Sequence, residues 1–161
     1  MISDVLIALG DLVPVLFWVG VALCGVLALV LQRTGRRRVL LVLAGLGLVA
    51  VLGLTFWPTP GPPGIRCAVQ FSVPFQGLDT LANVALLLPS TLFAAVALRR
   101  PVVVAAAAVG LSAVIELTQA LLPVVGRACD TNDWFMNSVG AVLAGLLAAL
   151  VLAFGKRPAR P

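Results

Sequence analysis

Three pairs of polar residues interrupt a sequence dominated by Ala, Leu and Val: Asp79 with Asn83, Glu116 with Gln119, and Asp133 with Asn137. Spacings of three and four residues put both members of a pair on one face of an α-helix. Each of three helices would therefore bring a carboxylate and an amide to a similar depth. A carboxyl group withdrawn from water can accept or donate a proton, which makes Glu116 and Asp133 the candidate catalytic groups. Arg127, a planar bidentate donor suited to carboxylate or phosphate, would stabilise anionic charge, and Asp79, Asn83, Gln119, Asp130 and Asn137 complete a candidate binding set. Each has a structural alternative. Glu116 would pair with Arg127 or hydrogen-bond Asn83 and Asn137 simply to hold helices together. Asp79 and Asp130 are good N-caps, the two asparagines serve equally as interhelical ties, and Arg127 is equally a partner for Asp130 or a topological charge. With no His and no Tyr in the chain, chemistry has to rest on carboxylates, Arg, amides, hydroxyls or thiols. Glu116, Asp79 and Asp133 lack a recognised ligand spacing, so neither a metal nor another cofactor is expected.

The elements that must carry these groups follow from composition. Of 161 residues, 61% are hydrophobic and 11% charged, with a mean hydropathy of +1.15, far outside the range of soluble proteins. Five apolar runs, residues 5–31, 39–57, 78–98, 101–125 and 134–154, are each long enough to cross about 30 Å of hydrocarbon as a helix. They are continuous rather than alternating, which excludes a barrel. The chain reads as all-α, a single membrane domain over residues 1–161 built as a bundle of five transmembrane helices. Its first run lacks a basic leader and exceeds a signal-peptide core, so it is expected to stay in the mature protein.

Arg33, Arg36, Arg37, Arg38, Arg99, Arg100, Lys156, Arg157 and Arg160 fall on one side of these spans and only Arg66 and Arg127 on the other. That bias predicts an N-terminus outside and a cytoplasmic C-terminus, with Trp57 and Trp134 at the outer interface. The net charge of +5 is thus topological, and nucleic acid is not an expected partner. Residues 58–77 carry five prolines and cannot be a regular helix, and the last six residues read as a disordered tail. Cys67 and Cys129 lie in the two outer loops and Cys24 within the first span, so topology selects Cys67 with Cys129 as the expected disulfide, two unpaired thiols being the alternative. Pro89 predicts a kink near Ala85, with Ser90 and Thr91 available to satisfy freed backbone groups. Gly140, Ala144 and Ala148, and likewise Ala141 and Gly145, recur every four residues and predict close helix packing. Glu116 would sit about 9 Å inside its span if that helix ends near Leu122. At that depth an ionised group must face protein or trapped water.

The ordered series Asp79-x3-Asn83-x5-Pro89, Ser112-x3-Glu116-x2-Gln119 and Arg127-x2-Asp130-x2-Asp133-x3-Asn137-x2-Gly140, followed by Gly145, resembles the VanZ family of bacterial membrane proteins. The resemblance covers roughly residues 79–145; the cysteines are no part of its pattern. It implies a multi-pass protein of the bacterial plasma membrane, linked to reduced susceptibility to teicoplanin-type glycopeptides, which act on peptidoglycan precursors outside the membrane. The expected function is therefore an outer-leaflet polar pocket that binds or modifies a lipid headgroup or cell-wall precursor whose tail stays in the bilayer. A small proton-linked carrier acting as an oligomer, with Glu116 as relay, is one alternative, although the inner halves of the spans offer few polar residues for a path. A structural partner of another envelope protein is the other. Catalysis and oligomeric state stay open.

Overall fold

The structure is a computed structural model that describes residues 12–58, 67–122 and 128–155. Five helices account for most of it: α1 Leu12–Arg33, α2 Arg37–Phe56, α3 Leu78–Leu98, α4 Pro101–Leu121 and α5 Thr131–Phe154. Two short strands, β1 Cys67–Ala68 and β2 Cys129–Asp130, pair in parallel between α2 and α3 and between α4 and α5. Helices of 20 to 24 residues extend about 30–36 Å, and all five are long and apolar enough to cross a membrane. The protein is an all-α, multi-pass membrane protein.

Two helix ends differ from the sequence expectation by three residues or more, for identifiable reasons. The fourth span was expected to reach residue 125, but α4 stops at Leu121; Leu122 lies outside the helical region (φ −113°, ψ 81°) and precedes Pro123, which disfavours a helical residue before it. The fifth was expected from Trp134, but α5 starts three residues earlier because the Asp130 side chain accepts from the Asn132 amide (2.8 Å) and caps it. The expected extension of the first span to residue 5 and the disordered tail from residue 156 lie outside the described residues.

Tight reversals join the helices at one end of the bundle: Gly35 (φ 73°) between α1 and α2, and Arg99 (φ 57°) between α3 and α4. Two of the arginines gathered there satisfy carbonyls at the C-terminal ends of helices. Arg33 Nη2 donates to the Phe154 carbonyl of α5 (3.2 Å) and Arg37 Nε to the Ala97 carbonyl of α3 (3.0 Å), where positive charge also complements the helix dipole. The opposite end carries the strands and cysteines.

α3 is the centre of the bundle. Twelve of its 21 residues are buried, whereas α1 buries only Ala28 and Leu31 fully, packs Phe17, Val21, Cys24 and Leu29 partly against the core and presents most of its remaining apolar surface outward. Lipid tails are as apolar as leucine, so helix association there depends on close fit rather than on removing surface from water. The small residues of α5 provide that fit toward two neighbours. A Cβ added at Gly140 would run into the Val84 carbonyl oxygen of α3, and Ala144 and Ala148 continue this surface into the core shared with Leu88 and Leu92. A Cβ at Gly145 would lie 3.0 Å from the Ala105 Cβ of α4. α3 runs unbroken through Pro89, and Ser90 Oγ donates to the Leu87 carbonyl (3.1 Å).

Candidate functional site

Six of the polar residues expected to meet gather at the cysteine end, around the start of α5. Asp130 is the N-cap of α5 and Asp133 its third residue, an arrangement in which the third residue usually reaches back to the N-cap amide. Here Glu116, from α4, takes that place: its Oε2 accepts from the Asp130 N–H at 2.8 Å. Asp133 is turned instead toward α3, where its Oδ1 accepts from Asn83 Nδ2 at 2.5 Å. Three carboxylates from two helices and a cap thus surround a helix N-terminus, the place where the helix dipole favours negative charge.

Deeper by one turn, Asn137 Nδ2 of α5 donates to Ser112 Oγ of α4 (3.1 Å). Gln119 Nε2 of α4 donates to the Thr55 carbonyl (2.9 Å), one of the carbonyls left without an intrahelical partner at the end of α2. Glu116, Gln119, Ser112 and Asn137 are all buried. Among the described residues, two buried polar atoms in this region have no hydrogen-bond partner: Asn137 Oδ1, on a residue only 2% exposed, and Trp134 Nε1. Asn137 is bonded to α4 through its Nδ2, and the Trp134 backbone position lies eleven residues, close to three whole turns, before Gly145, which abuts Ala105 of α4.

A strap covers this end. The disulfide Cys67–Cys129 (Cα–Cα 4.5 Å) and the pairing of Ala68 with Asp130 fix its first residues. Beyond them, the Gln70 N–H donates to Thr131 Oγ1 and that hydroxyl donates to the Gln70 carbonyl, both at 2.9 Å. Gln70 Nε2 donates to Asp130 Oδ2 (2.6 Å), and the Ser72 N–H to Asn132 Oδ1 (2.8 Å).

Of the candidate residues, Asn83, Glu116, Gln119, Asp130, Asp133 and Asn137 gather here, and Cys67 pairs with Cys129 as topology required. Asp79 does not join them; it is exposed in the first turn of α3. Arg127 lies outside the described residues, and so does its expected pairing with Glu116 or Asp130. The alternative partners expected for Glu116, Asn83 and Asn137, are bonded to Asp133 and Ser112 instead.

Sequence reasoning missed the roles of Ser112, Thr55 and the strap. Ser112 had a usable signal, since it precedes Glu116 by four residues on the same helix face. The strap had one too: Gln70 and Ser72 alternate with Val69, Phe71 and Val73. Thr55 contributes through its backbone, which side-chain patterns do not show.

Among the described residues, no group of His, Cys, Asp or Glu is placed to hold a metal ion. A cavity of about 240 Å³ between α2, α3 and α4 (Ala44, Leu87, Thr91, Ala108) and another of about 350 Å³ between α4 and α5 (Ala105, Val109, Val142, Gly145) are apolar and lined by none of the cluster residues. Comparison with curated proteins and with solved structures gives no match. The family model described as VanZ/LLP1 matches residues 44–152, from within α2 to the last turn of α5, a stretch that contains the whole polar cluster and the strap. The chain belongs to the VanZ/LLP1 family.

Proposed function

We propose that the protein sits in the bacterial plasma membrane with its cysteine end outside, and that the cluster at the head of α5 receives the polar end of a cell-envelope lipid or lipid-linked precursor. The arginines at the opposite end support the orientation, because cytoplasmic loops carry the excess of Arg and Lys. The disulfide supports it as well, since such bonds persist in oxidising compartments. Membership of the family links the chain to glycopeptide resistance, a phenotype centred on the outer face of the membrane.

The observation that carries the ligand reading is the pair of orphaned atoms. Among the described residues Asn137 Oδ1 has no donor and Trp134 Nε1 no acceptor, each at a penalty of about 1–3 kcal/mol. A ligand rich in hydroxyl groups, each of which both donates and accepts, would supply the kinds of partner that these two atoms lack. In this reading Glu116 and Asp133 are the acid/base groups for any chemistry on the ligand, Arg127 neutralises its anionic part, and Asn83, Gln119 and Asp130 hold the site in shape.

The bonds themselves favour a second reading. Each of Asn83, Glu116, Gln119 and Asn137 ties one helix or cap to another, so the cluster would serve assembly of the bundle alone. Teicoplanin survival of a strain that depends on this chain separates the two, with protein level measured in parallel. Asn137→Leu and Arg127→Ala lose protection at unchanged level if the cluster is a ligand site. Loss of protein in step with protection, or full protection at normal level, defeats that assignment.

A further inference from the structure

Beyond the disulfide, the strap is two-sided. Gln70 and Ser72 are bonded to the start of α5, whereas Val69, Phe71 and Val73 between and beside them are 79, 63 and 60% exposed. Two aromatic contacts show which way the apolar side faces. The Phe71 ring meets Phe135 edge-on with centroids 5.7 Å apart, and Phe135 lies a full turn inside α5. The Phe75 ring lies 5.5 Å from Trp18 and 6.1 Å from Phe17, more than a turn inside α1. Both rings reach from the strap onto the sides of helices long and apolar enough to cross a membrane, so the apolar side is turned down along the bundle rather than away from its end.

The backbone is prepared for the same place. Peptide groups near hydrocarbon need partners other than water. On the strap, the Gln70 amide and carbonyl are both held by the Thr131 hydroxyl and the Ser72 amide by Asn132. α5 begins at that point, and its 24 residues extend about 36 Å, more than the hydrocarbon thickness, which puts its first turn at headgroup level. Trp57, 70% exposed just past the end of α2 at the same end of the bundle, is the kind of side chain found at that boundary.

We propose that residues 67–75 form an interfacial membrane element, with Val69, Phe71 and Val73 seated among the upper acyl chains of the leaflet at the cysteine end and the strap backbone at headgroup depth. The partner of this surface is the bilayer itself. The inference stands independently of any ligand at the head of α5.

The test uses the full chain reconstituted in phosphatidylcholine and phosphatidylglycerol vesicles. Its three tryptophans are replaced by phenylalanine and a single one is introduced as Phe71→Trp, and separately as Val69→Trp and Val73→Trp. Emission is followed with lipids brominated near the top of the acyl chain and with aqueous iodide. The expected result is that bromolipid removes about half of the emission while iodide removes about a tenth or less, as for a side chain held below the headgroups. Quenching by iodide with little effect of bromolipid puts the strap in water and overturns the proposal. So does protection from both, which means that protein covers these side chains. If Phe71→Trp disturbs the contact with Phe135, the other two variants decide, because their side chains already project outward.

Discussion

Glu116 supplies from α4 the bond that a residue of α5 ordinarily makes, so one side chain both caps a helix and joins two of them. The two functions of the carboxylate respond differently to substitution. Glu116→Gln keeps an oxygen for the Asp130 amide and loses the favourable charge at the helix N-terminus, an expected destabilisation of about 0.3–1 kcal/mol. Glu116→Ala leaves that amide without its acceptor and should lose about 1–3 kcal/mol. Thermal melting in detergent checks the order, and a glutamine variant as unstable as the alanine one would mean that charge, not the hydrogen bond, dominates. The sequence revealed that Glu116 had to be inside, because a carboxylate six residues before a helix end near Leu122 is surrounded by apolar span. It did not reveal the partners. Spacing within a helix fixes which residues share a face, whereas Asn83 meeting Asp133 and Asn137 meeting Ser112 depend on how far the helices are shifted and rotated against each other. Asp79 shares a face with Asn83, yet it stays exposed because it sits one turn closer to the end.

Among the elements, α5 decides how the cluster is assembled, since it packs on α3 through Gly140 and on α4 through Gly145. These small-residue repeats were legible in the sequence because a four-residue period marks one helix face; which neighbour each face would meet was not. The contact at Gly140 is with backbone, which cannot rotate aside. Gly140→Ala should therefore force α3 and α5 apart, at a loss of about 1–3 kcal/mol, and disturb the Asn83–Asp133 bond near the start of α5. Gly110→Ala in α4 has open space around the added methyl. It should be neutral or stabilising by up to about 1 kcal/mol, through helix propensity alone. Melting curves of the two variants side by side provide the check. Equal behaviour would show that the bundle tolerates separation of α3 from α5.

At the scale of the whole molecule, charge among the described residues is segregated along the bundle axis: Asp79, Glu116, Asp130 and Asp133 lie at the cysteine end, and Arg33, Arg36, Arg37, Arg38, Arg99 and Arg100 at the other. The disulfide belongs to the acidic end and closes a loop of 62 residues that contains α3 and α4. Replacing both Cys67 and Cys129 by Ser should lower stability by about 2–4 kcal/mol, chiefly by loosening the chain around the head of α5. The same bond reports orientation. In untreated protein only Cys24 should be open to alkylation under denaturing conditions, and all three cysteines should be open after reduction. In intact cells treated with a reductant, a maleimide that cannot cross the membrane should add to Cys67 and Cys129 and leave Cys24, within α1, untouched. This outcome follows if the arginine end is retained in the cytoplasm, since moving six guanidinium groups across the bilayer is opposed by each of them. Labelling of Cys67 and Cys129 that appears only after the cells are broken would turn the molecule over. It would remove the polar cluster from the face on which cell-wall precursors are displayed.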